Sequence, residues 1–276
     1  MRQILPEGRE QKRQIREFWD ERSCGEVYAQ GASYRERLEN QARTRYRLEP
    51  YIAAFARFAE GAGQEVLEIG VGMGADHLEW AKAAPRRLAG VDMTSRAAGF
   101  TQARLDLYGL RSTLAVADAE RLPFPDDSFD IVYSWGVLHH TPDTPRAVGE
   151  VQRVLRPGGR ASIMLYHRAS LVGYLLWVRY ALLAGRPARS LDEIFAHHLE
   201  SPGTQAFSEE QARRVFSGFS KLEIRRQLSV GDLLEGAAGQ RHASVLLTLA
   251  RRVWPRRLIR RAFSRNGLFL LIEARK

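Results

Sequence analysis

Apolar positions along this chain change period in a regular way. Residues 65–69 (Glu-Val-Leu-Glu-Ile) form a short apolar run that ends in glycines, residues 75–84 space their apolar positions at helical intervals, and residues 87–91 form a second short run closed by Asp92. Short apolar runs bounded by turn residues read as buried strands, and the 3.6-residue period between them reads as an amphipathic helix, so this stretch is a β-turn-α-β unit. The same alternation continues through a helix at 94–108, strands at 113–117 and 129–134, and a helix at 143–155 capped by Asp143. A fifth strand at 160–165 is entered through the turn Pro157-Gly158-Gly159.

Outside that core the pattern changes. Residues 10–60 are polar and helical, with a break at 24–31. After the fifth strand, Leu171, Tyr174, Leu175, Val178 and Leu182 recur at helical spacing, followed by a second helical pattern at 191–199 and a capped helix that starts at Ser208 with Glu209 and Glu210 in its first turn. Runs at 222–228 and 268–274 read as the sixth and seventh strands, with an alternation that suits an antiparallel edge. The basic segment between them is divided by Pro255 into two helices, because proline is accepted only in a first helical turn. The expected fold is α/β and Rossmann-like: a seven-stranded, mostly parallel sheet with an antiparallel last strand. A helical N-terminal cap spans 1–60, and helical insertions at about 168–205 and 230–266 interrupt the main domain, 61–276.

Composition narrows the class. With 276 residues, 45% of them hydrophobic, the chain can bury a sizeable core. A lone cysteine, Cys24, excludes a disulfide framework, and its combination with seven histidines gives no zinc-type spacing, so a reducing cytoplasm is the expected compartment. No apolar region of a secretory signal follows the N-terminus, and the most apolar stretch, 170–184, is interrupted by Arg179 and is shorter than a spanning helix needs. The net charge of +10 suggests a nucleic-acid partner until it is located: between Glu235 and Glu273 there is no acid, and eight arginines there account for most of the excess. In the second half of that segment Leu258, Ile259, Ala262 and Phe263 share one helical face, and Arg256, Arg257, Arg260 and Arg261 another. A solvated basic face, a membrane-surface helix and an anion-recruiting rim all fit that pattern.

The glycine turn carries the first chemistry. Gly70 and Gly72 allow a sharp turn and a close approach of backbone to ligand, and Asp92, at the tip of the second strand, offers two acceptor oxygens to the hydroxyls of a ribose. A dinucleotide fingerprint would place a further glycine for helix packing; here the spacing is Gly70-x-Gly72-x-Gly74, and an acid, Glu68, lies inside the first strand where it would face the ligand's polar end. Asp118-Ala119-Glu120, the run from Leu122 to Ser134, Gly136-Val-Leu-His-His140 and Val154-Leu-Arg-Pro-Gly-Gly159 follow. Together, over roughly residues 60 to 167, these resemble the class I S-adenosylmethionine-dependent methyltransferases, in particular the small-molecule enzymes of ubiquinone and menaquinone biosynthesis.

The resemblance implies S-adenosyl-L-methionine as cofactor, Asp118 as acceptor for the adenine amino group with the Ala119 backbone against the ring, and an N-terminal lid. Glu68, Gly74, Met93, Ser134 and Trp135 complete the implied cofactor set. The chain has Ser-Trp-Gly-Val where relatives that methylate nucleobase amines carry an Asn/Asp-Pro-Pro-aromatic tetrad, which counts against such an acceptor. His139, His140, Tyr166 and His167 leave two strand ends that should face one site, and are the candidate catalytic residues, since histidine can serve as a base near neutral pH. No metal site is expected, because adjacent His139 and His140 would point apart and no carboxylate-rich motif accompanies them. A small-molecule acceptor is the leading expectation. Cyclisation or cleavage of the cofactor, and nucleic-acid or membrane-surface binding through the basic segment, are the rivals.

Overall fold

The computed structural model describes residues 6–235 and 251–276, and the expectation of a first basic helix falls largely on 236–250, outside the described residues. One seven-stranded sheet organises the chain: β1 (Glu65–Ile69), β2 (Arg87–Asp92), β3 (Thr113–Val116), β4 (Phe129–Trp135), β5 (Leu155–Tyr166), β6 (Lys221–Gln227) and β7 (Phe269–Arg275), in the order β3-β2-β1-β4-β5-β7-β6. Strands β1 to β5 pair in parallel, and β7 runs antiparallel between β5 and β6. The chain order reverses between β1 and β4, so a crevice opens above their carboxyl ends, as expected at such a switch point.

Alternation along the strands feeds two cores. In β1, Leu67 and Ile69 face one side and Val66 the other. The first side is packed by α6 (Thr144–Val154) and α9 (Glu209–Val215), through Ala147, Val148, Val151 and Ala212. The second is packed by α3 (Tyr51–Ala56), α4 (Ala75–Lys82), α5 (Ser95–Leu107) and α8 (Leu191–His198), through Phe55, Leu78, Leu105 and Phe195. Each such fully buried side chain stabilises the fold by about 1.5–3 kcal/mol relative to exposure, so the sheet is held by its faces. Local chemistry fixes where the helices start: Thr94, Asp143 and Ser170 accept from backbone amides three residues on, and Ser190 and Ser208 complete capping boxes with Glu193 and Gln211.

Two expectations are corrected here. The Pro-Gly-Gly turn lies within β5, whose pairing with β4 jumps from Phe129↔Leu155 to Ile131↔Arg160, so the extra residues form an irregularity in a longer strand. Of the last two strands only β6 is an edge, and it alternates half-buried with exposed positions; β7 is almost wholly buried because it sits between two partners. The N-terminal helices α1 (Pro6–Glu21) and α2 (Tyr34–Leu48) are bound to this body by polar contacts, part-buried for α1 through Lys12 and buried for α2. The Arg104 guanidinium donates to the Leu38 and Met73 carbonyls and to Gln41.

Candidate active site

At Gly70 the backbone is left-handed (φ 85°), and a Cβ would lie 2.0 Å from Val137 Cγ2. The reason for glycine is therefore this chain's own Val137, where the sequence suggested a ligand. Gly72 (φ 52°) has open space where a Cβ would go, and Gly74 (φ 73°) presses on Thr101 of α5. From that turn the Gly72 N–H donates to Asp92 Oδ2 at 3.1 Å, while Thr94 N and Oγ1 donate to Asp92 Oδ1, both at 3.0 Å. Burial pushes the Asp92 carboxyl above its ordinary range against those bonds.

Glu68 is also engaged within the protein. It is buried, with Oε2 2.9 Å from His77 Nδ1, while His77 Nε2 lies 2.8 Å from Ser112 Oγ, which donates to the Leu88 carbonyl. Because the Ser112 proton is committed, His77 Nε2 must donate and Nδ1 must accept from Glu68. Burial, with Asp76 and Asp92 nearby, holds the Glu68 carboxyl well above its usual range, and burial takes the His77 ring down to about 3. The chain is therefore neutral, and Glu68 contributes a bound proton to it.

The charge at this end belongs to Asp76 and its partners. Asp76, in the first turn of α4, accepts from Arg45 Nε and Nη2 (2.9 and 2.6 Å), Tyr46 (2.9 Å) and Tyr133 (2.8 Å). Burial would raise its pKa, but the Arg45 charge and these bonds hold it below the ordinary value. Glu49, 3.5 Å from Arg45, is pushed up to about 7 by burial and by Asp76. On the opposite side Lys12 of α1 reaches Asp118 Oδ2 at 2.6 Å, which carries the first helix across the end of β3.

Lys12, Arg45, Glu49, Asp76 and Asp118 line one cavity of about 370 Å³. Its wall includes Glu68, Gly70, Gly72, Asp92, Met93, Asp118, Ala119 and Trp135, whereas Gly74 and Ser134 lie behind it, the Ser134 hydroxyl donating to the Ile69 carbonyl at 2.9 Å. Beyond Trp135 the wall becomes apolar, with Trp19, Val172, Leu176, Leu199 and Phe269. Val172 and Leu176 belong to α7 (Leu171–Trp177), so the insertion after β5 contributes to the wall of this chamber.

Of the four candidate catalytic residues, His140 and Tyr166 line the cavity and His139 and His167 do not. His167 is buried 3.0 Å from the Gly267 carbonyl, which its Nδ1 meets as a donor. The two adjacent histidines do not point apart: a short helical turn at Leu138–His140 sets their rings 4.3 Å apart, and His139 lies 3.9 Å from the Tyr166 ring. Burial, then His140, hold the His139 ring well below its ordinary pKa. Glu200, from the loop after α8, joins the group unannounced by any motif. Its Oε2 accepts from the Tyr166 hydroxyl at 2.7 Å and lies 3.2 Å from His140 Nε2, which it screens from the cavity. Ser201 Oγ and Thr204 Oγ1 lie 2.9 and 3.1 Å from His140 Nδ1, and the Thr204 hydroxyl donates to the Ser201 carbonyl. With its proton committed, Thr204 can only accept from Nδ1, whereas the Ser201 hydroxyl can donate to it and so favour a proton on Nε2, facing Glu200. Cys24 is exposed and opens into the same chamber.

A parallel sheet of this order, with a glycine turn after β1 and acids at the ends of β2 and β3, is the arrangement of the Rossmann-like methyltransferase fold. Residues 67–163 match the family described as methyltransferase domain. Over 112 residues the chain is 37% identical to the ubiquinone/menaquinone biosynthesis C-methyltransferase of Geobacter sulfurreducens, covering 39% of this chain and 43% of that one. It is 33% identical over 168 residues to phthiotriol/phenolphthiotriol dimycocerosates methyltransferase 1 of Mycobacterium ulcerans, covering 60% and 54%. The chain thus matches about half the length, or less, of these relatives. Among solved structures, phosphoethanolamine N-methyltransferase 2 of Haemonchus contortus, in complex with S-adenosylhomocysteine, superposes with a TM-score of 0.60 at 20% identity, covering 95% of this chain and 60% of that one.

Proposed function

We propose that this protein transfers the methyl group of S-adenosylmethionine to an oxygen of a small molecule with an apolar body. The observation that carries the reading is the continuity of the cavity: one end has the glycine turn, Asp92 and Asp118, and the other is an apolar chamber whose polar atoms cluster at Glu200, His140 and Tyr166. Asp92 would hold the ribose and Asp118 the adenine amino group, with Ala119 and Met93 against the base. Arg45 and Glu49 offer opposite charges to the carboxylate and ammonium of the methionine part.

The sulfonium methyl needs little activation, so the protein's work is to hold the acceptor in line with the C–S bond and to exclude water. The acceptor hydroxyl donates to the Glu200 carboxylate, which stands between the cavity and His140. As the O–CH₃ bond forms, the C–S bond breaks, its electron pair stays on sulfur, and the hydroxyl proton passes to the Glu200–His140 pair. His140, whose Nε2 lies 3.2 Å from Glu200 Oε2, stands beside the carboxylate that takes up that proton. The relatives named for quinone and phthiotriol substrates fit an apolar acceptor.

Purified protein incubated with S-adenosylmethionine and phenolic or long-chain alcohol acceptors should release S-adenosylhomocysteine and a methyl ether. Acceptor-independent formation of methylthioadenosine would sink the proposal in favour of cofactor cleavage. Methylation of amines alone, insensitive to Glu200→Gln, would remove the role given to the proton-accepting pair.

A further inference from the structure

Large apolar side chains are exposed in an uneven way. Among the described residues eleven are, and seven of them fall in the two insertions, which argues against random surface scatter. On α7 and the wide helical turn that continues it (Val178–Leu182), Tyr174, Val178 and Leu182 recur every four residues and Leu183 follows, opposite the buried Leu176 and Ala181. The second group is Val253, Leu258 and Phe263, on and beside α10 (Arg256–Ala262), whose Ile259 is the buried anchor.

These two stripes are neighbours. Asp232 accepts from the Val172 amide at the start of α7 (3.2 Å), and its carbonyl accepts from the Trp254 indole just before α10 (2.9 Å). Val172 and Leu176 also line the cavity, so the stripes lie beside the acceptor chamber. The charge around α10 is mostly positive. Glu235 takes up Arg260 at 2.8 Å and approaches Arg256, whereas Arg257 and Arg261 are exposed without an ion-pair partner among the described residues, and the sequence has no acid from 236 to 272. Two short apolar stripes fringed by arginine match the chemistry of an anionic bilayer interface, where apolar tips enter the acyl boundary and guanidinium groups meet phosphate. A nucleic acid would explain the arginines and leave the exposed leucines and phenylalanine without a role.

We propose that the face formed by α7 and α10 docks on an anionic lipid surface, with the acceptor chamber opening beside the membrane. Docking does not depend on the methyl-transfer reading, because it is measured without cofactor or acceptor. Among the described residues no helix is long and apolar enough to cross a membrane.

The full chain should co-sediment with phosphatidylcholine vesicles containing phosphatidylglycerol at low salt, and not with pure phosphatidylcholine vesicles. Each arginine near such a surface contributes about fivefold to partitioning, so Arg257→Ala with Arg261→Ala should weaken it by about 25-fold, and added salt should weaken it further. Leu183→Ser with Leu258→Ser should weaken it as well, and both pairs should leave S-adenosylhomocysteine binding and the unfolding midpoint unchanged, since all four side chains are exposed. No sedimentation of the parent chain with anionic vesicles would overturn the proposal. So would binding unaffected by either pair, or single-stranded DNA bound more tightly than the vesicles at the same salt.

Discussion

Replacing Asp92 with alanine tests the cofactor end of the cavity most directly. Its two oxygens offer about four acceptor directions. Three are already used, one by the Gly72 amide and two by Thr94, and the Met93 amide also faces the carboxylate. At most one strong, charge-assisted bond is therefore left for the ribose, where the sequence alone suggested a carboxylate free for both hydroxyls. Such a bond contributes about 1.5–3 kcal/mol, so Asp92→Ala should weaken S-adenosylmethionine binding roughly ten- to a hundredfold. The same substitution strands the Gly72 and Thr94 amides in a buried place, which costs about 1–3 kcal/mol of stability and loosens the turn. Asp92→Asn separates the two effects: it keeps the shape and one acceptor but presents an NH₂ to an N–H donor and removes the charge, so its affinity should fall between parent and alanine variant. Titration calorimetry with S-adenosylmethionine, run alongside thermal unfolding of each variant, reads both quantities. If Asp92→Ala binds within twofold of the parent, the ribose is held elsewhere and the assignment of this end of the cavity fails.

Gly70→Ala should destabilise the fold by about 1–3 kcal/mol, from a clash with Val137 and from left-handed backbone. Pairing it with Val137→Ala should recover only the steric part; a lone Gly70→Ala with an unchanged midpoint in urea would contradict this geometry. Glu49 titrates near 7 in the folded chain and near 4.5 unfolded, so between those values the native state holds the extra proton and stability should fall as pH rises, levelling above 7. Glu49→Gln should flatten that slope, as followed by urea unfolding from pH 4.5 to 8, and an undiminished slope would place the titration on another group. Glu200→Gln should lower kcat at least tenfold while leaving the cofactor Kd within twofold, because Glu200 faces the acceptor chamber; a weakened Kd with unchanged kcat would move Glu200 to the cofactor end.

Much of this molecule is decided by local pattern. The strand and helix order, the caps at Thr94, Asp143 and Ser208, and the glycine turn with Asp92 and Asp118 are legible because each rests on short-range rules: period, capping chemistry and the φ that glycine permits. Contacts between distant segments could not be read that way. Glu200 meets His140 across 60 residues of chain, Arg45 meets Asp76 across 31, and Lys12 meets Asp118 across 106, and none of these pairs has a spacing that announces it. Burial also reverses what residue type suggests. Glu68 looks like a ligand-facing charge and is the proton donor of a neutral chain, and His167 looks like a base and is tied to a backbone carbonyl. The sequence determined which groups are present at the strand ends. Only the packing of α1, α2 and the insertion onto those ends decided which of them face the cavity, because desolvation and partner geometry depend on the whole fold.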